Sequence, residues 1–116
     1  MDITLEQLIE QCTRDSNRWF PGKAQKIENQ VLCLAGEVGE VANLVKKVVR
    51  GSISVDEALE KGLAEEIVDC QVYLANLMGN PIFSHVDWVI KIQNVRENNE
   101  ARFGNSTQFN EEFIGE

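Results

Sequence analysis

The chain is poor in several residues that build specialised sites: 116 residues include one histidine, two prolines, one tyrosine and three cysteines. With His85 as the sole histidine, a two-histidine di-iron site of the helical-bundle type is excluded. Cys12, Cys33 and Cys70 are odd in number, far apart and without C-x-x-C spacing. Cys33 and Cys70 stand in apolar segments, where reduced cysteine acts as a small hydrophobe, so a reducing cytoplasm is the expected compartment. No D-x-D-x-D-G loop occurs, which rules out an EF-hand. Asp2 and Glu6 open a chain with no long apolar run, so neither a signal peptide nor a membrane span is expected. Basic residues are also outnumbered, 11 against 19 acidic, for a formal net charge of -8. Nucleic-acid polymers and anionic membrane surfaces would be repelled, although a small phosphorylated ligand could still bind through metal cations.

What is present suits one folded domain. Hydrophobic residues make up 43% and charged residues 26%, enough to build a single core. Four helical segments are predicted. The first spans residues 4–16, with Thr4 as N-cap and Gln7 three residues on; Leu5, Leu8, Ile9 and Cys12 share one side. Trp19-Phe20-Pro21-Gly22 breaks it. The second covers residues 24–50 and stops at Gly51. Ser54 and Glu57 form a capping box for a short turn through Leu59, and Gly62 separates this turn from the third helix. That helix covers residues 63–78 and stops at Gly79-Asn80-Pro81; the fourth covers residues 84–103 and ends at Gly104. Val48 and Val49 continue the helical stripe begun at Leu34, so no strand is expected. The expected class is all-α, an antiparallel bundle formed by residues 1–104. Residues 105–116 form a polar, acidic tail with Phe109 and Phe113 as anchors.

The second and third helices match each other. LAGEVGE from Leu34 and LAEEIVD from Leu63 superpose at a shift of 29 residues, which sets Glu37 on Glu66 and Glu40 on Asp69. Each helix thus has an acid pair at i, i+3, one turn apart on one side. Leu34, Val38, Val41, Val45 and Val48 superpose on Leu63, Ile67, Cys70, Leu74 and Leu77. At about 100° per residue these make one apolar stripe, with the acids along its edge. Packed stripe to stripe, the two helices would bring four carboxylates together. Like charges repel, and taking them out of water is costly unless something compensates. A hard divalent cation does so, and oxygen-only ligands select Mg²⁺, Mn²⁺ or Ca²⁺ over zinc. The plainer alternative is that the acids form a solvated face.

The pattern Glu37-x-x-Glu40, 25 residues, Glu66-x-x-Asp69 resembles the metal-binding signature of MazG-like nucleoside triphosphate pyrophosphohydrolases, of the all-α NTP pyrophosphatase superfamily. The likeness runs from about Trp19 to Gly104 and is densest in LAGEVGEVANLVKK, LAEEIVDCQVYLANL and NNEARFG. The resemblance implies hydrolysis of an NTP or dNTP to the monophosphate and pyrophosphate, with Mg²⁺ or Mn²⁺. By the same resemblance Glu37, Glu40, Glu66 and Asp69 are the metal ligands, with a carboxylate to orient the attacking water or take its proton, and Asn99 and Arg102 contact phosphates. Lys47, two turns beyond Glu40, takes a position where family members contact nucleotide. The family's Lys four residues before its Asn is replaced by Val95, with Arg96 adjacent and Lys91 one turn earlier as cations able to stand in. Small members are dimers or tetramers with sites at or near subunit contacts, so a homodimer or homotetramer is implied; Val31, Ala35, Ala42 and Val49 beside the main stripe of the second helix agree with one.

Trp19, beside the Pro-Gly break, is a candidate to cover a base, whereas Trp88, in a stripe with Val89, Ile92 and Val95, reads as core. The alternatives are a hydrolase of a non-standard nucleotide or a diphosphate, and a catalytically silent helical interaction module.

Overall fold

A computed structural model describes residues 2–23 and 25–104. Its helices are α1 (Leu5–Trp19), α2 (Ile27–Val49), α3 (Val55–Glu60), α4 (Leu63–Met78) and α5 (Trp88–Phe103), with a 3-10 turn at Pro81–Phe83. No strand occurs among the described residues. The class is all-α and helical: the main helices are α1, α2, α4 and α5, and the first three pack into a bundle. The tail residues 105–116, with Phe109 and Phe113, lie outside the described residues.

Local chemistry accounts for most helix ends. Thr4 accepts from the Gln7 amide while the Gln7 side chain accepts from the Thr4 amide, and Ser54 and Glu57 repeat this box before α3. Gly62 takes φ +99, a left-handed conformation that costs glycine least, and so lets the chain leave α3 and enter α4 at once. The first helix runs three residues past the expected end, because nothing in Asn17-Arg18-Trp19 breaks it before Pro21. Conversely, α5 starts at Trp88 and not at Ser84, because Asp87 is the residue whose side chain caps it, accepting from the Ile90 amide at 3.1 Å. Residue 24, the expected start of the second helix, is outside the described residues; α2 begins at Ile27.

Contacts gather into two compact units, one spanning Met1–Ser84 and the other opening at His85. In the first, α4 is central: it packs against α2, α1 and α3. The α2–α4 pair is antiparallel. Gln30 near the start of α2 donates to the Asn76 carbonyl near the end of α4, while Glu37 and Glu40 farther along α2 reach Glu66 near the start of α4. The α1–α4 contact is close at Gly79, where a Cβ would collide with the Thr13 side chain and lie 3.1 Å from Ile9 Cγ2.

Burial departs from stripe-to-stripe packing. Leu34, Val41 and Val48 on α2 and Leu63, Cys70 and Leu77 on α4 are half-buried. Their stripe-mates Val38, Val45, Ile67 and Leu74 are exposed, by 51%, 42%, 52% and 41%. Each stripe therefore splits into two rows spaced by seven residues, and only one row faces a neighbour. Val31, Ala35, Ala42 and Val49 are exposed too. The buried apolar residues are Cys12, Ala58 and Ala75, all small. In the second unit Trp88 and Val89 are half-buried, but Ile92 and Val95 are exposed, so the core stripe expected along α5 is half open.

Candidate metal centre

Glu37 and Glu40 stand in the middle of α2, and Glu66 in the first turn of α4, where the helix N-terminus favours negative charge. One oxygen from each lies within 4.8 Å of the other two. None of the three has an ion-pair partner among the described residues, whose ion pairs are Arg14–Glu10 and Arg18–Asp15 on α1. Glu37 Oε2 and Glu66 Oε2 are buried and without a hydrogen-bond partner. Two orphaned carboxylate oxygens beside a third carboxylate fit a hard cation: each offers an unused lone pair, and a divalent charge removes the repulsion. Glu37 and Glu66 are half-buried and Glu40 is exposed, so an ion could enter from solvent.

Crowding changes how these groups hold protons. The Glu40 carboxyl is raised above its ordinary value, first by a proton shared with Glu66, then by the charge of Glu66, with partial desolvation and Asp69 adding to the shift. Glu66 is also raised. Its largest influence, the proton shared with Glu40, works against the shift, but the one shared with Glu37, desolvation, and the charges of Glu37 and Asp69 outweigh it. Behind them, the Cys70 thiol is raised by desolvation and then by the charges of Glu37, Glu66 and Asp69.

Asp69, the fourth expected ligand, is not in the close trio. Its charge acts on Glu40 and Glu66, and its side chain lines an adjoining cavity of about 430 Å³ between α1, α2 and α4. Trp19 and Phe20, each 60% exposed, line that cavity with Tyr73, Cys33 and Asn76. The Arg18 guanidinium lies 5.6 Å from the Trp19 ring centre. Tyr73 is raised by desolvation and then by charge on Cys33, Glu37, Asp69 and Glu40. Cys33, read as a small hydrophobe of an apolar helical segment, is exposed on this wall.

The remaining expected residues are elsewhere. Lys47 is half-buried in the last turn of α2, where its carbonyl accepts from Ser52 N at 2.9 Å; it is not in the trio. Lys91, Arg96 and Asn99 line an open groove of about 740 Å³ along α5 with Trp88, Ile92 and Val95. Arg102 is not in that groove; its guanidinium lies 4.9 Å from the Phe103 ring centre. Glu65 is exposed beside Gly62.

Gln30, Asn76 and Asn80, of which only Asn80 was named and then as part of a helix stop, are buried amides, 7%, 5% and 4% exposed. Gln30 donates to the Asn76 carbonyl at 3.0 Å and accepts from Asn80 at 2.8 Å. The available signal was an amide inside an apolar helical run, as in LANLM, where asparagine is a poor helix former.

No protein-family model, curated protein or solved structure matches the chain. Among the described residues no helix is long and apolar enough to cross a membrane.

Proposed function

We propose that the protein is a Mg²⁺-dependent pyrophosphohydrolase of (deoxy)nucleoside triphosphates, related to the MazG-like enzymes, that releases the monophosphate and pyrophosphate. The observation that carries this reading is the convergence of Glu37, Glu40 and Glu66 within 4.8 Å, two of them with orphaned buried oxygens and none with a cationic partner among the described residues. A chain of net charge -8 that crowds acids together gains from a divalent ion and from a ligand that brings one.

Glu37, Glu40 and Glu66 would hold the ion, with Asp69 completing the set from one turn along α4. Bound there, Mg²⁺ or Mn²⁺ would screen the triphosphate and make a coordinated water a better nucleophile. A carboxylate of the set would orient that water or accept its proton. Trp19, Phe20 and Tyr73 give the neighbouring cavity aromatic faces for a base. By the resemblance, Asn99 and Arg102 are the groups assigned to phosphates, Lys91 or Arg96 to the contact of the missing family Lys, and Lys47 to the nucleotide.

The exposed rows Val38, Val45, Ile67 and Leu74 favour a second copy of the chain as the partner of α2 and α4, in a homodimer or homotetramer. The test is incubation with each NTP and dNTP plus Mg²⁺, with separation of products. Monophosphate and pyrophosphate in equal amounts are expected. Orthophosphate as the sole product, or turnover of only a diphosphate or non-standard nucleotide, replaces this reaction with a relative of it. No turnover together with no Mg²⁺-dependent shift in melting leaves a silent interaction module.

A further inference from the structure

The acid trio leaves a second polar group in the same unit unexplained. Gln30 and Asn80 are buried and committed: Gln30 donates to the Asn76 carbonyl and accepts from Asn80, which also donates to the Gln25 carbonyl at 2.9 Å and accepts from Ile82 N at 3.0 Å. Asn76 differs. It is 5% exposed, and its Oδ1 is buried with no hydrogen-bond partner. A buried acceptor left this way is costly, and in native proteins such an atom is normally satisfied by something.

Asn76 lines the cavity that Asp69 and the aromatic residues also line. It follows Asp69 by seven residues on α4, two turns and about 10 Å along one side of the helix. A nucleotide with its phosphates at the acids would therefore enter with the sugar side of its base toward Asp69 and the far edge toward Asn76. At that far edge cytosine and adenine present an exocyclic amino group, a donor; uracil, thymine and guanine present a keto oxygen, an acceptor.

We propose that Asn76 reads the base, its Oδ1 accepting from the exocyclic amino group at pyrimidine C4 or purine C6, so that the enzyme prefers cytosine and adenine nucleotides to those with a keto oxygen at that position. The inference rests on the hydrolase reading above and adds the substrate class to it. A keto oxygen in the same place would set acceptor against the buried Asn76 Oδ1 acceptor, which is how a polar pocket rejects a near-isostere.

One competing account uses the same atoms. Asn76 also lines a second cavity, about 10 Å³ in volume, shared with Thr13, whose Oγ1 is likewise buried and unpartnered. That space is near the minimum for one water, which would satisfy both oxygens without a ligand.

The experiment measures kcat/KM with Mg²⁺ for dCTP, dATP, dUTP, dTTP and dGTP on the unmodified protein and on Asn76→Leu, Asn76→Ser and Thr13→Val. The expected result is a preference of about tenfold or more for the amino-bearing pair, flattened in both Asn76 variants and kept in Thr13→Val, which does not line the larger cavity. Equal or reversed preference in the unmodified protein overturns the inference, as does a ranking that survives loss of the amide; Asn76 then serves only the small cavity. Absence of all turnover counts against the hydrolase reading instead. In that event, calorimetric binding of cytidine monophosphate against uridine monophosphate to the metal-free protein decides the inference, with the same tenfold preference expected and its absence overturning it. The same measurement decides if the Asn76 variants do not fold.

Discussion

The first unit handles its acidic side chains in two opposite ways. On α1, Glu10 meets Arg14 at 2.7 Å and Asp15 meets Arg18 at 3.2 Å, each one turn apart on a solvated helix face. Across α2 and α4, Glu37, Glu40 and Glu66 crowd together with no cation from the described residues. A helix surface places i, i+4 partners side by side without help, so α1 neutralises its acids locally. Convergence between helices collects acids from distant parts of the chain and leaves the counter-charge to come from outside. The difference separates a solubilising surface from a candidate site.

The sharpest way to break the contrast is to neutralise one member of the trio. Glu37→Gln or Glu66→Gln should lower kcat/KM by about a hundredfold or more and weaken Mn²⁺ binding, read by pyrophosphate release and by electron paramagnetic resonance. A next test probes the inner side of α1, where close packing and not charge decides. Gly79→Ala would drive a methyl group into Thr13 and toward Ile9 and should cost about 1–3 kcal/mol in urea unfolding.

A smaller effect distinguishes the two acid groups by pH. Glu40 and Glu66 have folded-state values raised above the ordinary 4.5. The folded state therefore binds their protons more tightly than the unfolded state does. Their contribution to stability is complete below about pH 4.5 and is lost as pH rises through the raised values. The melting temperature of metal-free protein should carry this decline toward neutral pH, and saturating Mg²⁺ should remove it. Smallest of all, Glu10→Gln should change stability by about 0.5 kcal/mol or less and leave kcat/KM unaltered, because both partners of that pair are mostly exposed. A large effect there, or none at Glu37, would erase the distinction between the two groups.

Much of the fold was legible because its signals are local. Thr4 with Gln7 and Ser54 with Glu57 are complete in four residues each, and both form the capping box their spacing implies. The third helix was bounded correctly at both ends by Gly62 and Gly79. The errors fell where two local signals competed. Trp19-Phe20-Pro21-Gly22 reads as a break, yet the helix persists through Trp19. Ser84 and Asp87 can both cap a helix, and Asp87 does so for α5. Of the site, the acid pairs at i, i+3 were legible from repetition, whereas the exclusion of Asp69 from the close trio was not. Helical periodicity tells which side a residue occupies but not how far apart two helices lie at that level.

By itself the sequence determined the helices, the ends set by a single local signal and the pairing of acids within each helix, since those depend on neighbours within four residues. Tertiary structure alone decided the rest. An antiparallel crossing of α2 and α4 set Glu37 and Glu40 against Glu66 and carried the amides of Gln30 and Asn76 to the other end of the pair. The crossing also covered one row of each apolar stripe and left Val38, Val45, Ile67 and Leu74 open. The physical reason is that a helix surface is written every three to four residues, while the distance and direction of a second helix depend on contacts between residues some 25 to 50 positions apart.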